Sequence, residues 1–348
     1  MFLKKLLTLL CVSLASVSFS QQIGQKEKGE IIASTKKLFA QHYHYKNQVK
    51  PTLDYVDQQW KNGKYDSFTS VDEFTRALAG DLQHFTHDKH LNFFHQSAEV
   101  ANDHAEQPSI PWGLLNDNFL NNGMTALQIL PGDIGYMNIK AMGDFEQVAP
   151  AAFNFVSNTQ ALIIDVRGNG GGMLTNLLIS YLLPDEKIHL NTISWNDHVD
   201  SIFNIRQLNG PRYLNKPVFV LTDHVTFSSA EEFAYDLQNM KRATIVGERT
   251  GGGANPGGTM PIYSFPDGSR LDLYISMAKV ENPISKTNWE GTGIKPDVAT
   301  EPTTALQKAH TLALEYLYKK ETNAFIKEKY AGILIKVKGQ NDDKGRSK

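Results

Sequence analysis

The sequence predicts an α/β protein in which a buried, mostly parallel sheet follows a small bundle of helices. Apolar residues recur at helical spacing from about residue 26 to 86. From about residue 130 onward, short apolar strands alternate with segments of helix length. Such alternation implies right-handed strand–helix–strand units and a sheet covered on both faces. The chain has 348 residues, 41% of them hydrophobic, which is enough for two folded units or one large one.

The helical part is predicted to form an N-terminal domain over residues 21–100. Ile31 and Ile32 start an apolar pattern with helical spacing. Ser70 followed by Glu73 is a capping-box pattern, in which each side chain bonds to the other residue's backbone N–H. This pattern predicts the start of a further helix.

A second domain is predicted over residues 101–320, and it contains the sheet. The turn Pro266-Asp267-Gly268 between alternating segments predicts a hairpin attached to the same sheet. Residues 321–348 are predicted to be a C-terminal tail with a polar, disordered end. The predicted strands are residues 134–141, 161–166, 217–222 and 243–246, and the predicted helices are residues 145–156, 173–183 and 228–240.

Residues 1–20 have the layout of a secretory signal peptide. Lys4 and Lys5 precede a short apolar run, and small residues lead to a cleavage point before Gln21. The run is shorter than the roughly 20 apolar residues that a membrane-spanning helix needs, so no transmembrane helix is expected. Export predicts a periplasmic, cell-envelope or extracellular protein. The single cysteine, Cys11, lies inside this run, so a lipid anchor stays open and the processed chain has no thiol.

Composition and missing motifs exclude several function classes. A formal net charge of -2 gives no electrostatic reason to expect nucleic acid as a partner. The sequence has no phosphate-binding G-x-x-x-x-G-K-[ST] loop, no G-x-G-x-x-G motif, no H-E-x-x-H motif and no G-x-S-x-G elbow. His84, His87 and His90 are evenly spaced, but exposed histidines at a helix end are commoner than a metal site. We therefore expect no cofactor and no metal.

Four segments rich in glycine, serine and short apolar runs stand out in the second domain. They are residues 161–172 (ALIIDVRGNGGG), 226–234 (TFSSAEEFA), 242–254 (RATIVGERTGGGA) and 291–297 (GTGIKPD). Together, and in this order, they resemble the tail-specific, or C-terminal processing, serine proteases. The resemblance implies a crotonase/ClpP-like catalytic core over the second domain, and a peptide or protein as the substrate.

Within these segments, Ser228 is the candidate nucleophile. It stands at the predicted start of a helix, directly after a strand and a short loop, where free backbone N–H groups converge. An attacking serine needs such donors for the oxyanion that develops. The Ser229 N–H is one candidate, and among the glycines 170–172 we favour Gly171. The alternative is that Ser228, with Glu231 three residues later, is only a helix cap. The substrate-binding loops are expected to include Gly170, Gly172, Thr226 and Gly252.

The general base is assigned from the same resemblance. The best-known branch of the family uses a lysine after the nucleophile's helix, but Gly253 stands at that place and Lys241 lies outside the motif. The other branch resembles the tricorn protease core and the repeats of interphotoreceptor retinoid-binding protein, and it implies a histidine and a glutamate. The matching residues are His90 as general base and Glu290, which would orient the imidazole. The alternatives for these two roles are His87 and Asp88.

The expected activity is that of a serine-type endopeptidase that forms an acyl-enzyme on Ser228. About 40 residues, from 93 to 132, separate the helical and catalytic parts. That length is too short for the PDZ module of roughly 80–90 residues that most processing proteases of this type carry, so a preference for C-terminal tails stays open. Two other functions also stay open: a non-catalytic binder of an apolar ligand, and an esterase or amidase with the same site. The sequence does not indicate an oligomeric state.

Overall fold

The computed structural model describes residues 21–96, 98, 121–173 and 175–344, with side chains as far as residue 339. The predicted signal peptide lies outside the described residues, and so does the predicted domain boundary between residues 100 and 101. Among the helices that are described, none is both long and apolar enough to cross a membrane.

The N-terminal helices form where the apolar spacing predicts them. They are α1 (Gln25–His42), α2 (Lys46–Lys61) and α3 (Val71–Thr86). Ser70 caps α3, because its Oγ accepts a hydrogen bond of 3.2 Å from the Glu73 N–H. The apolar faces of the three helices pack together around the buried side chains of Ile31, Phe39 and Phe74.

A six-stranded sheet forms the centre of the second part of the chain. Its strands, numbered along the chain, are β2 (Met124–Leu130), β3 (Ile134–Ile139), β4 (Ala161–Asp165), β7 (Val218–Thr222), β8 (Thr244–Gly247) and β12 (Val298–Ala299). The order is β12-β8-β7-β4-β3-β2, and each neighbouring pair is parallel except the antiparallel pair of β2 and β3. The predicted α/β class with a mostly parallel sheet is confirmed.

Helices cover both faces of this sheet. Those on one face are α4 (Val148–Val156), α5 (Asn176–Tyr181) and α6 (Ser229–Asn239), and those on the other are α7 (Pro302–Lys320) and α8 (Ala324–Lys344). Within β4, Leu162 and Ile164 pack into the first apolar cluster, whereas Ala161 and Ile163 pack into the second. A strand buried on both faces has an almost unbroken apolar sequence, which is why such strands were recognisable.

Two smaller sheets are antiparallel. One contains β1 (Phe93–Gln96), β10 (Arg270–Ser276) and β9 (Gly257–Ser264) in that order, and the other contains β11 (Ala278–Glu281), β5 (His189–Trp195) and β6 (Val199–Phe203). The hairpin predicted at residues 266–268 forms, with the Phe265 N–H bonded to Ser269 O at 2.8 Å. Its attachment to the central sheet is corrected. β10 pairs with β1 instead, because β1 follows α3 directly and this sheet packs on the N-terminal helices.

The end of the chain differs from the prediction of a tail with a disordered end. α8 occupies this region as far as Lys344, and residues 345–348 lie outside the described part of the chain. Val337 of α8 is only 5% exposed and packs with apolar residues of α7 and the central sheet. Packing of α8 residues such as Ile333, Leu334 and Val337 on this cluster stabilises the helix.

Candidate active site

Three loops meet at one edge of the central sheet. β4, β7 and β8 are parallel neighbours, so their carboxyl ends lie side by side, and the loops that leave them are residues 166–172, 223–228 and 248–253. The Phe227 N–H donates to Asn169 O at 2.9 Å, which joins the first two loops. The Gly251 N–H donates to Thr226 O at 2.9 Å, which joins the second and third. Open α/β sheets bind their ligands at this edge.

Ser228 sits at the sharp turn between β7 and α6. Its backbone has φ 53° and ψ −127°, a conformation that costs a residue with a side chain about 1–3 kcal/mol and is frequent at functional sites. Its hydroxyl does not cap α6; instead, Ser228 Oγ lies 3.1 Å from His90 Nε2. Only the other half of the capping box is present, since Glu231 Oε2 accepts the Ser228 N–H at 3.0 Å. The hydroxyl is therefore available for chemistry, and the sharp turn presents it as a nucleophile elbow does.

His90 lies on the loop between α3 and β1, and its ring is held on both sides. Its backbone N–H donates to Asp88 Oδ1 at 2.9 Å, which fixes the loop as a side-chain-stabilised turn. The ring centroid is 4.7 Å from that of Phe227 and 5.3 Å from that of Tyr274. Burial lowers the pKa of His90, but the Asp88 carboxylate, helped by two glutamates, outweighs burial and leaves the pKa raised. His90 can thus accept a proton from Ser228.

Two buried carboxyl groups lie behind the imidazole. Asp88 Oδ1 is 3.7 Å from His90 Nδ1, a distance at which charge acts but a hydrogen bond is not made. Glu290 Oε2 accepts hydrogen bonds from the N–H groups of Ala254 (2.7 Å) and Asn255 (2.9 Å). One ligating atom each of Asp88, His90 and Glu290 lies within 4.8 Å of the others, so these are the described residues that could hold a metal ion. Burial, and then the charge of Asp88, raises the pKa of Glu290 to about 7.

Glu231 links the nucleophile to the loop that follows β8, and sequence reasoning assigned it only as a possible cap. Besides the Ser228 N–H, its carboxylate accepts the N–H groups of Gly252 and Gly253 at 2.8 Å each, and the Thr250 hydroxyl. The side chain is fully buried. The Ser228-x-x-Glu231 spacing was the signal for this role, but it does not reveal that the glutamate reaches across to another loop.

Gly253, at the place where the best-known branch has its lysine, lies directly against His90. A Cβ on Gly253 would stand 2.7 Å from His90 Cε1, and 2.2 and 2.4 Å from two ring atoms of Phe227. Real Cβ atoms do not approach other atoms this closely. His90 and any side chain at position 253 therefore exclude each other in this arrangement.

The expected oxyanion donors have different environments. Within the described residues, the Ser229 N–H has no hydrogen-bond partner, so it is free to donate to a ligand. The Gly171 N–H is not free, because Asn169 Oδ1 accepts it at 2.9 Å. Gly171 nevertheless lies beside the nucleophile, since a Cβ on it would be 2.7 Å from Ser228 Cβ. Asn169 was missed because a side chain that folds back on its own loop leaves no spacing pattern.

The four residues expected in substrate-binding loops divide into two pairs. Gly170 and Gly172 lie on the loop beside Ser228, and their part in substrate binding stays a prediction. Thr226 and Gly252 hold the scaffold instead. The Thr226 side chain is buried and donates to Val166 O at 2.9 Å, and the Gly252 N–H is bonded to Glu231. Neither group can reach a substrate as placed.

The alternatives for the base lie elsewhere. His87 ends α3 in a left-handed conformation with φ 53°, and His84 stacks on Tyr55 with ring centroids 4.5 Å apart. Lys241 follows the end of α6, at the opposite end from Ser228. Among the described side chains, His90 is the histidine that contacts Ser228.

Comparisons with known proteins bear on this site. A family model described as peptidase family S41 matches residues 133–300, and the N-terminal domain of peptidase S41 in eukaryotic IRBP matches residues 24–122. The chain belongs to peptidase family S41. The S41 match contains all four resembling segments, which lie between residues 161 and 297.

Curated relatives of this S41 chain are proteases. A carboxyl-terminal-processing protease of Picosynechococcus is 32% identical over 143 residues, which are 40% of this chain and 32% of that protein. Putative tricorn protease homolog 2 of Streptomyces coelicolor is 30% identical over 207 residues, which are 55% of this chain and 16% of that protein. The chain thus spans well under half the length of these relatives.

Solved S41-like structures share the fold. A putative peptidase from Parabacteroides merdae superposes with a TM-score of 0.56 at 20% identity, over 82% of this chain and 96% of that one. A lipoprotein from Streptococcus agalactiae superposes with a TM-score of 0.50 at 17% identity, over 83% of this chain and 96% of that one. At such identities the likeness concerns architecture, and it includes the N-terminal helices.

Proposed function

We propose that this S41 protein is an exported serine-type endopeptidase that cleaves peptide bonds through an acyl-enzyme on Ser228. The observation that carries the proposal is the 3.1 Å approach of Ser228 Oγ to His90 Nε2, with the serine hydroxyl released from helix capping. A nucleophile within hydrogen-bond reach of a base, and a base backed by carboxyl groups, is the arrangement that acyl transfer requires.

The proposed reaction has two steps. Ser228 Oγ attacks the peptide carbonyl carbon while His90 Nε2 takes its proton; the C–N bond then breaks, and the imidazolium returns this proton to the departing amine. Water next attacks the acyl-enzyme, with His90 as its base, and releases the carboxylic acid and free serine. The Ser229 N–H supplies one oxyanion donor, and the loop of Gly170 and Gly172 lies where a second is needed. Asp88 and Glu290 support the imidazolium that forms.

Substrate and location follow from the sequence and the relatives. A peptide or protein substrate is in keeping with the protease names of the S41 relatives. Export rests on the basic, apolar and small-residue layout of residues 1–20. A docking module for C-terminal tails is not part of this proposal, because residues 93–132 are too few for a PDZ domain.

Covalent labelling tests the proposal. The chain from Gln21 would be treated with a fluorophosphonate probe, and we expect a single adduct on Ser228. Ser228→Ala should abolish labelling, and His90→Ala should slow it by about 10³-fold or more. His84→Ala, which removes a histidine stacked on Tyr55 away from Ser228, should label normally.

Two results would contradict the proposal. A folded wild-type chain, confirmed by circular dichroism, that takes up no probe would not be a serine hydrolase. Hydrolysis of small esters without any cleavage of casein would replace the peptidase by an esterase.

A further inference from the structure

Three buried polar atoms in the cluster of Asp88, His90 and Glu290 have no hydrogen-bond partner among the described residues. They are His90 Nδ1, Asp88 Oδ2 and Glu290 Oε1. The side chain of Asp88 is 1% exposed and that of His90 is 9% exposed, so bulk water does not satisfy these atoms. Since buried polar groups are almost always paired, this cluster requires at least one hydrogen-bond donor beyond those that the described residues supply.

The number of donors shows what is missing. When His90 Nε2 accepts the Ser228 hydroxyl, Nδ1 carries the only hydrogen of the imidazole. One N–H cannot satisfy two carboxylates, and two negative charges at this distance repel each other strongly where water is absent. A single extra proton on one carboxyl group removes both problems. It adds a donor, and it leaves one negative charge opposite the imidazole.

The geometry decides which carboxyl group is neutral. Asp88 Oδ1 already accepts the backbone N–H of His90. The same oxygen lies 3.7 Å from His90 Nδ1, so the charge of Asp88 is placed to orient the ring. Glu290 Oε2 is occupied by the N–H groups of Ala254 and Asn255, which leaves Oε1 free to carry a proton. One ligating atom each of Asp88, His90 and Glu290 lies within 4.8 Å of the others, so the two carboxyl groups are neighbours. That proton supplies the cluster with one more donor for its unpaired atoms.

We propose that Asp88 and Glu290 share one proton: ionised Asp88 is the positioning residue for His90, and neutral Glu290 donates its hydrogen bond to Asp88. This inference rests on the proposed function of Ser228 and His90. It favours the alternative in which Asp88 orients the imidazole, and it gives Glu290 the role of a neutral donor. The raised pKa of Glu290 is in keeping with it.

Besides His90, the described titratable groups that act on the pair from neighbouring segments include no lysine or arginine. The titratable groups that act on the cluster from neighbouring segments are Tyr43, Tyr45, Glu231 and Tyr274. Burial raises the pKa of each of these tyrosines, so they are neutral. Lys89, next to His90 in sequence, is turned to Gly251 O instead, at 2.5 Å.

Paired amide substitutions test the inference. Glu290→Gln preserves a neutral donor toward Asp88 and an acceptor for the two backbone N–H groups, so labelling by the fluorophosphonate should stay within about 10-fold of wild type. Asp88→Asn removes the negative charge and offers a donor to Nδ1, so labelling should fall about 10²–10⁴-fold. Glu315→Gln, an exposed carboxylate paired with Lys338, is the matched control.

Two further measurements separate positioning from folding. The labelling rate would be measured as a function of pH between about pH 6 and about pH 9. The profile of Glu290→Gln should contain one ionisation step fewer than that of wild type. In proton NMR spectra, the hydrogen on His90 Nδ1 should give a low-field resonance. This resonance should persist in Glu290→Gln and disappear in folded Asp88→Asn.

The possible failures are distinct. A wild-type chain that does not label refutes the proposed function itself. A chain that labels, but loses as much activity in Glu290→Gln as in Asp88→Asn, overturns the shared proton. Zn²⁺ provides a further test. If Zn²⁺ inhibits the wild type, a chelator restores its labelling and Glu290→Gln is not inhibited, then the three atoms are metal ligands and the shared proton is overturned.

Discussion

At the scale of the residue, the absence of a side chain at position 253 determines which base can serve Ser228. The imidazole of His90 and a ring edge of Phe227 fill the space that a Cβ on Gly253 would need. A lysine there would first have to displace His90. On the proposed mechanism, a lysine at position 253 and the imidazole of His90 are alternatives for the same space.

We expect Gly253→Ala to lower the labelling rate by about 10²-fold or more, because displacement of a catalytic group by about 1 Å is enough for such a loss. Gly253 does not adopt a positive φ, so the added methyl acts through the clash and not through backbone strain. The rate of fluorophosphonate labelling measures the effect.

Gly332→Ala is the control for this change. Gly332 lies in α8 with no atom within 4 Å of an added Cβ, and it should leave the labelling rate unchanged. Normal labelling by Gly253→Ala would mean that His90 is held loosely and that the site tolerates both kinds of base.

The sequence was informative for residues that belong to contiguous motifs. Ser228, His90 and Glu290 could be named as candidates, because each stands at a fixed place in a recognisable segment. Asn169 could not be assigned a role, because its amide bonds to a glycine two residues away in a loop of unknown shape. The expectation for the Gly171 N–H differed from the structure for the same reason.

At the scale of the element, one carboxylate connects the start of α6 to the loop after β8. Glu231 accepts four donors, two of them on Gly252 and Gly253. Burial raises the pKa of Glu231, and these hydrogen bonds, which favour the ionised form, oppose the rise. The helix that carries the nucleophile and the loop that carries Gly253 are therefore a single unit.

We expect Glu231→Gln to destabilise the protein by about 2–4 kcal/mol, since the amide nitrogen would face backbone N–H groups and leave them unsatisfied in the interior. The difference in the free energy of unfolding is obtained from the midpoint and the slope of the urea denaturation curves. Labelling of Ser228 should fall as well, because the loop of Gly253 supports His90.

Glu248→Gln serves as the comparison, since Glu248 lies on the same loop but pairs with exposed His224. It should change stability by less than about 1 kcal/mol. Equal effects of the two substitutions would show that Glu231 does not join the elements.

Strands buried on both faces were predictable, whereas a mostly exposed strand was not. β4 and β7 are continuous apolar runs and were placed within a residue or two. β6 (Val199–Phe203) is exposed along most of its length, so its sequence carries no apolar signal. α8 was missed because its apolar residues do not follow a single stripe: Phe325 and Ile335 are exposed, whereas Ile333, Leu334 and Val337 pack against α7 and the sheet.

At the scale of the whole molecule, buried acids make stability depend on pH. Glu232 and Asp236, one turn apart on α6, share the Asn191 amide, with distances of 3.0 and 2.7 Å from Nδ2. Burial raises the pKa of Glu232 to about 7, and burial together with Glu232 raises that of Asp236. The folded chain therefore holds protons that the unfolded chain, with glutamate near 4.3, has released.

Stability should accordingly fall as pH rises from about 4.5 to about 7, because the native state binds more protons than the unfolded state. Glu232→Gln removes one of these groups. At about pH 8 we expect its Tm to lie about 2–4 °C above wild type, with little difference near pH 5. Thermal unfolding over this range measures it, with Glu315→Gln on the exposed surface as the control. A constant Tm difference across pH would show that Glu232 is ionised in the fold.

The contact between His90 and Ser228 joins residues 138 positions apart. His90 lies beside the N-terminal helices and Ser228 lies at the edge of the central sheet. Neither part of the chain contains both residues. A chain that is still threading through a membrane has therefore not yet assembled a working nucleophile. If the proposed export and the proposed mechanism hold, hydrolytic activity would begin only after folding has brought His90 to Ser228, and therefore only after translocation.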